Sequence, residues 1–237
     1  MSDQRSILDI QKFDQQSATL KNKAATLPEL AEISTTTIKQ NNVRDLRIAA
    51  ETELSDVKRE LARAEGDVEQ IVTRIERDEK RLASGTGTPK ELEQTQHELG
   101  TLGVRRSELE EVELEIMMRV DGIKDRISAL TTEENELALV LADLNIRKEN
   151  ALAAIHTELE GIETDRKATT QSVGAELLAL YEKIRESSGI GAAALAGNQC
   201  KGCNLTMNTI ELQRISGLAE DEVVRCEECR CILVRDK

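Results

Sequence analysis

The sequence predicts a mainly α-helical protein in which a long antiparallel coiled-coil hairpin precedes a small C-terminal ribbon of short β-strands and one short helix. Three observations predict this fold class. The 237 residues include one tyrosine, one phenylalanine, no tryptophan and two prolines, and 32% are charged. Apolar residues recur in alternating steps of three and four. All five cysteines lie after residue 199. Such a composition is typical of long helices and coiled coils rather than of a compact core.

The first arm of the predicted hairpin is marked by a heptad pattern of apolar residues, which is the seam of a coiled coil. One position of the pattern is polar, Asp78. The apolar positions are Leu54, Val57, Leu61, Ala64, Val68, Ile71, Ile75 and Leu82.

The predicted turn of the hairpin lies near residues 84–90, within the stretch SGTGTPKEL. Two glycines allow the chain to reverse, and Thr88, Pro89 and Glu91 form a helix start with a capping box. A second heptad then runs in one phase from Leu92 to Ile162. Six of its 21 seam positions are polar: Thr95, Arg106, Glu113, Glu134, Lys148 and Glu158.

The remaining helices follow from the breaks between these patterns. Pro28 in ATLPELAEI separates a short helix near residues 3–25 from a long one near 29–83, and the return helix should run from 89 to about 172. The short helix is expected to pack against the base of the return helix. A further helical pattern covers Val173–Ser187. We therefore predict a helical hairpin domain over residues 1–188 and a ribbon domain over 189–237.

Two cysteine pairs organise the predicted ribbon. Cys200 and Cys203 form one C-x-x-C motif, Cys226 and Cys229 form another, and 22 residues separate them. A two-residue gap lets both thiolates of a pair bind one ion, and two such turns supply the four sulfurs of a tetrahedral structural zinc site. Flanking stretches predict short strands at Ala192–Leu195, Val223–Val224 and Ile232–Val234, with a short helix at Thr209–Ile215.

Other uses of the cysteines remain open at this point. An iron–sulfur cluster also takes four thiolates. A redox-active pair is disfavoured because no βαβ pattern surrounds it, and a catalytic zinc site normally includes histidine or carboxylate ligands. His97 and His156 lie far away, as solvent-facing helix residues. Cys231, in CEECRC, competes with Cys229 as the fourth ligand, and the matching two-residue spacing favours Cys229.

The whole arrangement resembles a bacterial zinc-ribbon, coiled-coil hairpin family. The stretches that carry the resemblance are LDIQKFDQQ (8–16), TLPEL (26–30), TPKELEQTQHEL (88–99), CKGCNLTM (200–207) and VVRCEECRCILV (223–234). Relatives usually have glycine and then arginine after the last ligand cysteine. Arg230 and Cys231 stand in those places here, so a more strained turn is expected. The resemblance implies that some relatives bind an alternative sigma factor and others a flagellar messenger RNA.

Charge bears on function. A formal net charge of −13 repels phosphate and opposes nonspecific nucleic-acid binding by the whole molecule.

The start of the chain has no apolar run of the signal-peptide type, and no stretch of about 18 apolar residues occurs, so a cytoplasmic protein with no membrane contact is expected.

The sequence therefore favours a non-enzymatic, zinc-binding adaptor or regulator that engages a protein partner through the ribbon and the coiled coil. The alternative is an RNA- or DNA-binding regulator acting through the ribbon. Residues 198–237 hold six basic and seven acidic residues and no aromatic side chain for base stacking, which disfavours that alternative. Candidate phosphate or partner contacts are Lys201, Arg225, Arg230 and Arg235. No pattern of catalytic residues indicates an enzyme, and the pattern leaves the oligomeric state open.

Overall fold

The computed structural model describes residues 2–219 and 221–235. Its helices are α1 (Ser2–Ala25), α2 (Pro28–Ser84), α3 (Pro89–Thr170), α4 (Ala175–Ser188) and α5 (Thr209–Ser216). Its strands are β1 (Ala192–Ala196), β2 (Gln199–Cys200), β3 (Val224–Arg225) and β4 (Ile232–Arg235). The predicted hairpin fold class is confirmed, and the two long helices begin and end within about two residues of the predicted positions.

The chain divides into two compact units, one made of residues 31–145 and the other of the segments before and after it. The predicted boundary between domains at residues 188 and 189 stays a prediction. No helix within the described ranges 2–219 and 221–235 combines the length and the apolar character needed to span a bilayer.

The unit of residues 31–145 is the antiparallel hairpin of α2 and α3. The predicted seam is confirmed at its centre, where Val57, Val120 and Ile123 form one buried cluster. Ala50, four residues before the first predicted seam position, belongs to the same cluster. Asp78, the polar position of the first arm, is also buried, and its Oδ2 has no hydrogen-bond partner in the described part of the chain. A carboxylate in this environment weakens the seam locally.

Ion pairs link the two arms at four levels along the hairpin. Arg47 Nε lies 2.8 Å from Glu134 Oε2, and Arg119 Nη1 lies 3.0 Å from Glu60 Oε2. Arg126 pairs with Glu53, and Arg74 pairs with Glu98 closer to the turn. As the residue number rises along α2, that of its partner falls along α3, which is the signature of an antiparallel pair.

The turn of the hairpin has the predicted capping box. Thr88 N donates to Glu91 Oε2 over 2.7 Å, and Glu91 N donates to Thr88 Oγ1 over 3.4 Å. The hydrogen bond from the Thr88 backbone is the main reason that the pKa of Glu91 lies below its usual range. Gly85 and Gly87 have φ values of 62° and 144°, which glycine adopts without strain.

The second unit contains α1, the end of α3, α4 and the ribbon. Its sheet has the strand order β2-β1-β4-β3, with β1 parallel to β4 and the two outer pairs antiparallel. Helices α1 and α4 share a core with this sheet, to which Ile7, Ile10, Tyr181, Ile184 and Ile232 contribute fully or almost fully buried side chains. The α1 helix also contacts α3, as predicted, through an ion pair of Asp14 with Arg166. Its packing against the ribbon sheet was not predicted.

Candidate metal centre

The first cysteine turn follows directly from the β1–β2 hairpin. Cys200 N donates to Leu205 O over 3.1 Å, and Asn204 N donates to Cys200 O over 2.8 Å. These bonds fold residues 200–205 into a tight knuckle, in which Asn204 has a φ of 60°. Asparagine tolerates this left-handed conformation better than most residues. The knuckle thereby turns both sulfurs of the first pair toward one point.

The second cysteine turn repeats this hydrogen bonding. Cys226 N donates to Cys231 O and Arg230 N donates to Cys226 O, both over 3.0 Å. Arg230 has a φ of 64°, in the place where Asn204 stands in the first knuckle. A long side chain has no compensation for this conformation. The strain expected in the turn after Cys229 is therefore confirmed.

The two knuckles bring four sulfurs together. The Sγ atoms of Cys200, Cys203, Cys226 and Cys229 all lie within 4.8 Å of one another. Cys200 Sγ is 3.9 Å from Cys229 Sγ, and Cys203 Sγ is 3.9 Å from Cys226 Sγ. Zinc–sulfur bonds of about 2.3 Å place the sulfurs of a tetrahedral site about 3.8 Å apart. The donor set and its spacing therefore fit a metal ion held by four thiolates.

The four cysteines alternate along the chain between buried and half-buried. Cys200 and Cys226, the first members of each pair, are buried, whereas Cys203 and Cys229 are half-buried. Burial among other thiols raises the pKa of Cys229 to about 12. A bound cation acts in the opposite direction, because it stabilises the thiolate. Four soft sulfur donors without imidazole or carboxylate are typical of a closed structural site.

Cys231 lies at the edge of the cluster and is fully buried. Its Sγ is 3.7 Å from Cys200 Sγ and 3.3 Å from Cys229 Sγ. Burial, followed by the neighbouring thiols, raises its pKa well above the usual range. Its sulfur is outside the group of four that lie mutually within 4.8 Å. The geometry thus agrees with the two-residue spacing in grouping Cys229 with the other three, while the ligand assignment itself stays a prediction.

Comparison with known proteins identifies the family. A family model described as the CT398-like coiled coil hairpin domain matches residues 10–189. The chain belongs to this family. It is also similar to an uncharacterized protein of Mycobacterium tuberculosis, with 34% identity over 242 residues that cover 99% of this chain and 96% of the relative.

Solved structures support the same fold. A Mycobacterium smegmatis protein is 30% identical and superimposes with a TM-score of 0.87, covering 99% of this chain and 98% of that one. CT398 from Chlamydia trachomatis has a TM-score of 0.69 at 18% identity, covering 98% of this chain and 97% of its own, so that it supports the fold alone.

The candidate basic contacts of this CT398-like protein differ in their surroundings. Lys201 is exposed and its Nζ donates to Gln199 Oε1 over 2.5 Å. Arg225 Nε donates to Arg230 O over 3.0 Å. The guanidinium of Arg235 donates to four main-chain carbonyls at 2.6–3.3 Å, those of Ile215, Leu218, Ala219 and Glu222. Arg235 therefore fastens the segment after α5 to β4, and a phosphate-binding role for the four basic residues stays a prediction.

Both histidines are exposed on α3, as predicted. His156 Nδ1 lies 3.5 Å from Glu160 Oε1 on the same helix, which is an ordinary surface pair. Neither histidine belongs to the sulfur cluster, so among the residues that the structure describes the donor set of the site contains cysteine alone.

A polar network beneath the ribbon was missed by sequence reasoning. Tyr181 Oη donates to Asp14 Oδ2 over 2.6 Å, and Arg166 Nε donates to Asp14 Oδ1 over 2.9 Å. Arg166 and Arg185 both donate to Glu182. The hydrogen bond to Asp14 is the largest cause of the raised pKa of Arg166, and burial is the largest cause of the raised pKa of Tyr181. These contacts join residues up to 167 positions apart, which a local sequence pattern does not reveal.

Proposed function

We propose that this protein is a non-enzymatic adaptor in which one structural zinc ion fixes the ribbon and the helical hairpin binds a protein partner. The zinc assignment is supported by the four-sulfur cluster, whose 3.9 Å spacings match a tetrahedral ion. Zinc and iron both accept four thiolates, and zinc suits a site whose purpose is to hold two knuckles together. The ligands are Cys200, Cys203, Cys226 and Cys229.

The observation that carries the partner-binding role is a stripe of exposed apolar side chains on α3. Val104, Leu114 and Met118 are 64%, 59% and 68% exposed. At about 100° per residue, all three lie within about 80° of one another on the helix surface. The seam residues Leu102 and Ile116 lie on the opposite side. We call Val104, Leu114 and Met118 the outer stripe.

The outer stripe is suited to an amphipathic helix of a partner protein. Apolar residues at such spacings are the anchors by which helices pack on one another. A shallow groove of about 540 Å³ extends the stripe toward the turn and includes Gly100, where the absence of a side chain leaves the helix surface open. Arg105 and Glu108 border this groove, so that a partner helix would meet both signs of charge beside the apolar positions.

Exposed apolar residues also occur on the ribbon. Ile210 on α5 is 80% exposed and Leu205 after the first knuckle is 50% exposed. These side chains contribute little to the ribbon's own core, so we assign them to partner contact. The ribbon holds more acidic than basic residues, and four thiolates around a zinc dication add about two negative charges. Charge thus favours a protein partner over nucleic acid.

The test is a comparison of partners captured by full-length variants. One variant carries V104E, L114E and M118E. A matched control carries L139S and V140S, which remove two exposed apolar side chains elsewhere on α3. We expect a specific protein to be captured by the wild type and the control and lost from the stripe variant, and the same pattern to hold with the purified partner. Equal capture by all three forms, or capture of nucleic acid alone, would contradict the proposal. Metal analysis of the reduced protein tests the zinc assignment separately.

A further inference from the structure

Cys231 places a fifth thiol next to the four candidate ligands. Its sulfur is 3.7 Å from that of Cys200, which matches the separation of about 3.8 Å between two ligands of the same tetrahedral zinc ion. It is only 3.3 Å from that of Cys229, which is too short for two thiolates bound to one ion. The sulfurs of Cys229 and Cys231 therefore cannot bind one ion together at this separation, whereas either of them lies at ligand distance from Cys200.

The fold holds Cys231 firmly in this position. Its carbonyl accepts the hydrogen bond from Cys226 N, and the next residue, Ile232, pairs with Ala192 and Arg225 in the sheet. Above its sulfur lies Gly202 of the first knuckle, where a Cβ atom would be 3.3 Å from Cys231 Sγ. The thiol is thus seated beneath the knuckle of the opposite cysteine pair rather than pointing along the strand into solvent.

Cys229 is the ligand that Cys231 is placed to replace. Cys200 and Cys226 are buried, whereas Cys229 is half-buried and reaches water. Cys203 is equally half-buried, but its close sulfur neighbour is Cys226, which already belongs to the group of four. Cys229 directly precedes Arg230, whose left-handed backbone strains the turn.

We propose that Cys231 is a reserve metal ligand, which takes the fourth coordination position when Cys229 leaves it. In the exchange one metal–sulfur bond to Cys229 breaks and one to Cys231 forms. The proton of the Cys231 thiol passes to the Cys229 sulfur beside it, so that the charge of the site is unchanged and no oxidant is needed. This inference rests on the zinc site proposed above and adds a residue to it.

The experiment compares zinc binding by full-length, reduced protein in five forms: wild type, C229A, C203A, C231A and the double variant C229A/C231A. Metal analysis gives zinc per chain, competition with a chromophoric chelator gives the affinity, and the absorption spectrum of the cobalt-substituted protein reports the sulfur ligands. We expect C229A to keep one zinc per chain and a four-sulfur spectrum. Its affinity should fall by about 10–100-fold, the size of effect seen when the surroundings of a ligand set change.

The matched control is C203A, because Cys203 is the other half-buried second member of a pair. C203A and the double variant should lose the four-sulfur spectrum and more affinity than C229A. If C229A loses as much zinc affinity as these two variants, the reserve role is overturned. Zinc bound to the wild type and to C231A would in that case still support the site of four cysteines. Absence of metal from the wild type would instead overturn the zinc site itself.

A second measurement covers the case in which C229A does not fold. The rate of zinc transfer from the folded protein to excess chelator is compared between wild type and C231A. A reserve thiol recaptures the ion whenever Cys229 dissociates, so C231A should release zinc several-fold faster. Equal rates would overturn the proposal.

Discussion

The hydroxyl of Tyr181 on α4 donates a hydrogen bond of 2.6 Å to the Asp14 carboxylate on α1, although 167 positions separate the two residues. Arg166 of α3 donates to the same carboxylate and also to Glu182, so that three helices meet in one network. Polar groups that satisfy one another in this way fix how helices pack, because any alternative packing leaves them without partners. The network therefore defines the base on which α1 and α4 support the sheet.

Protonation of Glu182 should loosen this network. Burial alone would raise the pKa of Glu182, but hydrogen bonds from Arg166 and Arg185 outweigh it and bring the pKa below the usual value of 4.5. The contribution of Glu182 to stability is therefore complete above about pH 4.5 and is lost as the pH falls through the folded-state pKa. We expect E182Q to be less stable at pH 7, by about 1 kcal/mol or less because this carboxylate is partly exposed and screened.

The measurement is the free energy of unfolding of wild type and E182Q between pH 3 and pH 7. The difference in free energy of unfolding between the two forms should shrink below pH 4.5. Other pH effects that both forms share cancel when one free energy is subtracted from the other. A difference that stayed constant over the whole range would show that the two arginines do not stabilise the ionised carboxylate.

A methyl group at residue 191 should disrupt the junction between α4 and the sheet. A Cβ atom there would lie 2.4 Å from the Tyr181 ring and 2.9 Å from the Tyr181 carbonyl oxygen. Gly191 cannot move away easily, because its N–H donates to Gln11 Oε1 over 2.7 Å and its carbonyl accepts from Ile232 N over 2.9 Å. We expect G191A to cost at least about 1–3 kcal/mol, the usual penalty for overpacking.

Urea unfolding of G191A checks this expectation, with G161A as the control. A Cβ atom at Gly161 in α3 would have no atom within 4 Å, so alanine there should stabilise the helix by about 0.5–1 kcal/mol. Loss of stability in both variants would indicate a general effect of added methyl groups. The close contact with Tyr181 would then not explain the instability of G191A.

Removing the side chain of Arg230 should stabilise the second knuckle. Its φ of 64° costs a residue with a side chain about 1–2 kcal/mol, and glycine avoids this cost. Glycine also has a more flexible unfolded chain, which offsets part of the gain. We expect R230G to raise the stability of the zinc-loaded ribbon by about 1 kcal/mol or less.

The matched substitution is N204G, because Asn204 has a φ of 60° in the first knuckle. Asparagine is already tolerant of this conformation, so N204G should change stability less than R230G. Hydrogen exchange of the β4 amides in the two variants measures the difference. A larger gain for N204G would mean that backbone strain is not what distinguishes the knuckles.

The success of sequence reasoning differed between the parts of the molecule for physical reasons. The long helices were predicted closely because heptad spacing, Pro28, and the Thr88–Glu91 capping box are local signals. The clustering of the four cysteines was predicted because a two-residue gap lets both thiolates of a pair bind one ion, and a tetrahedral ion needs two such pairs. The Asp14–Arg166 contact and the pairing of β1 with β4 join distant segments, and no local pattern specifies them. A strained turn after Cys229 was expected from the family pattern, whereas the left-handed φ of Arg230 and the closeness of Cys231 to Cys200 were seen only in the structure.

Loss of the proposed zinc ion should unfold the ribbon and spare the hairpin of residues 31–145. The strands of the ribbon are only two to five residues long, and such a module has little core without its metal. The hairpin has its own seam around Val57 and Val120 and needs nothing from the cysteines. Helices α1 and α4 share Ile232 with the ribbon core, so part of their order should be lost as well.

C226S, compared with wild type, should therefore lose the protection of ribbon amides from hydrogen exchange and some protection in α1 and α4. The amides of residues 31–145 should keep theirs, and the helical circular dichroism should fall only modestly. C231S is the control, because Cys231 lies outside the group of four and its replacement should leave zinc bound. Loss of the hairpin's protection in C226S would show that the two units do not fold independently, since a seam with its own buried cluster should not depend on a thiol of the other unit.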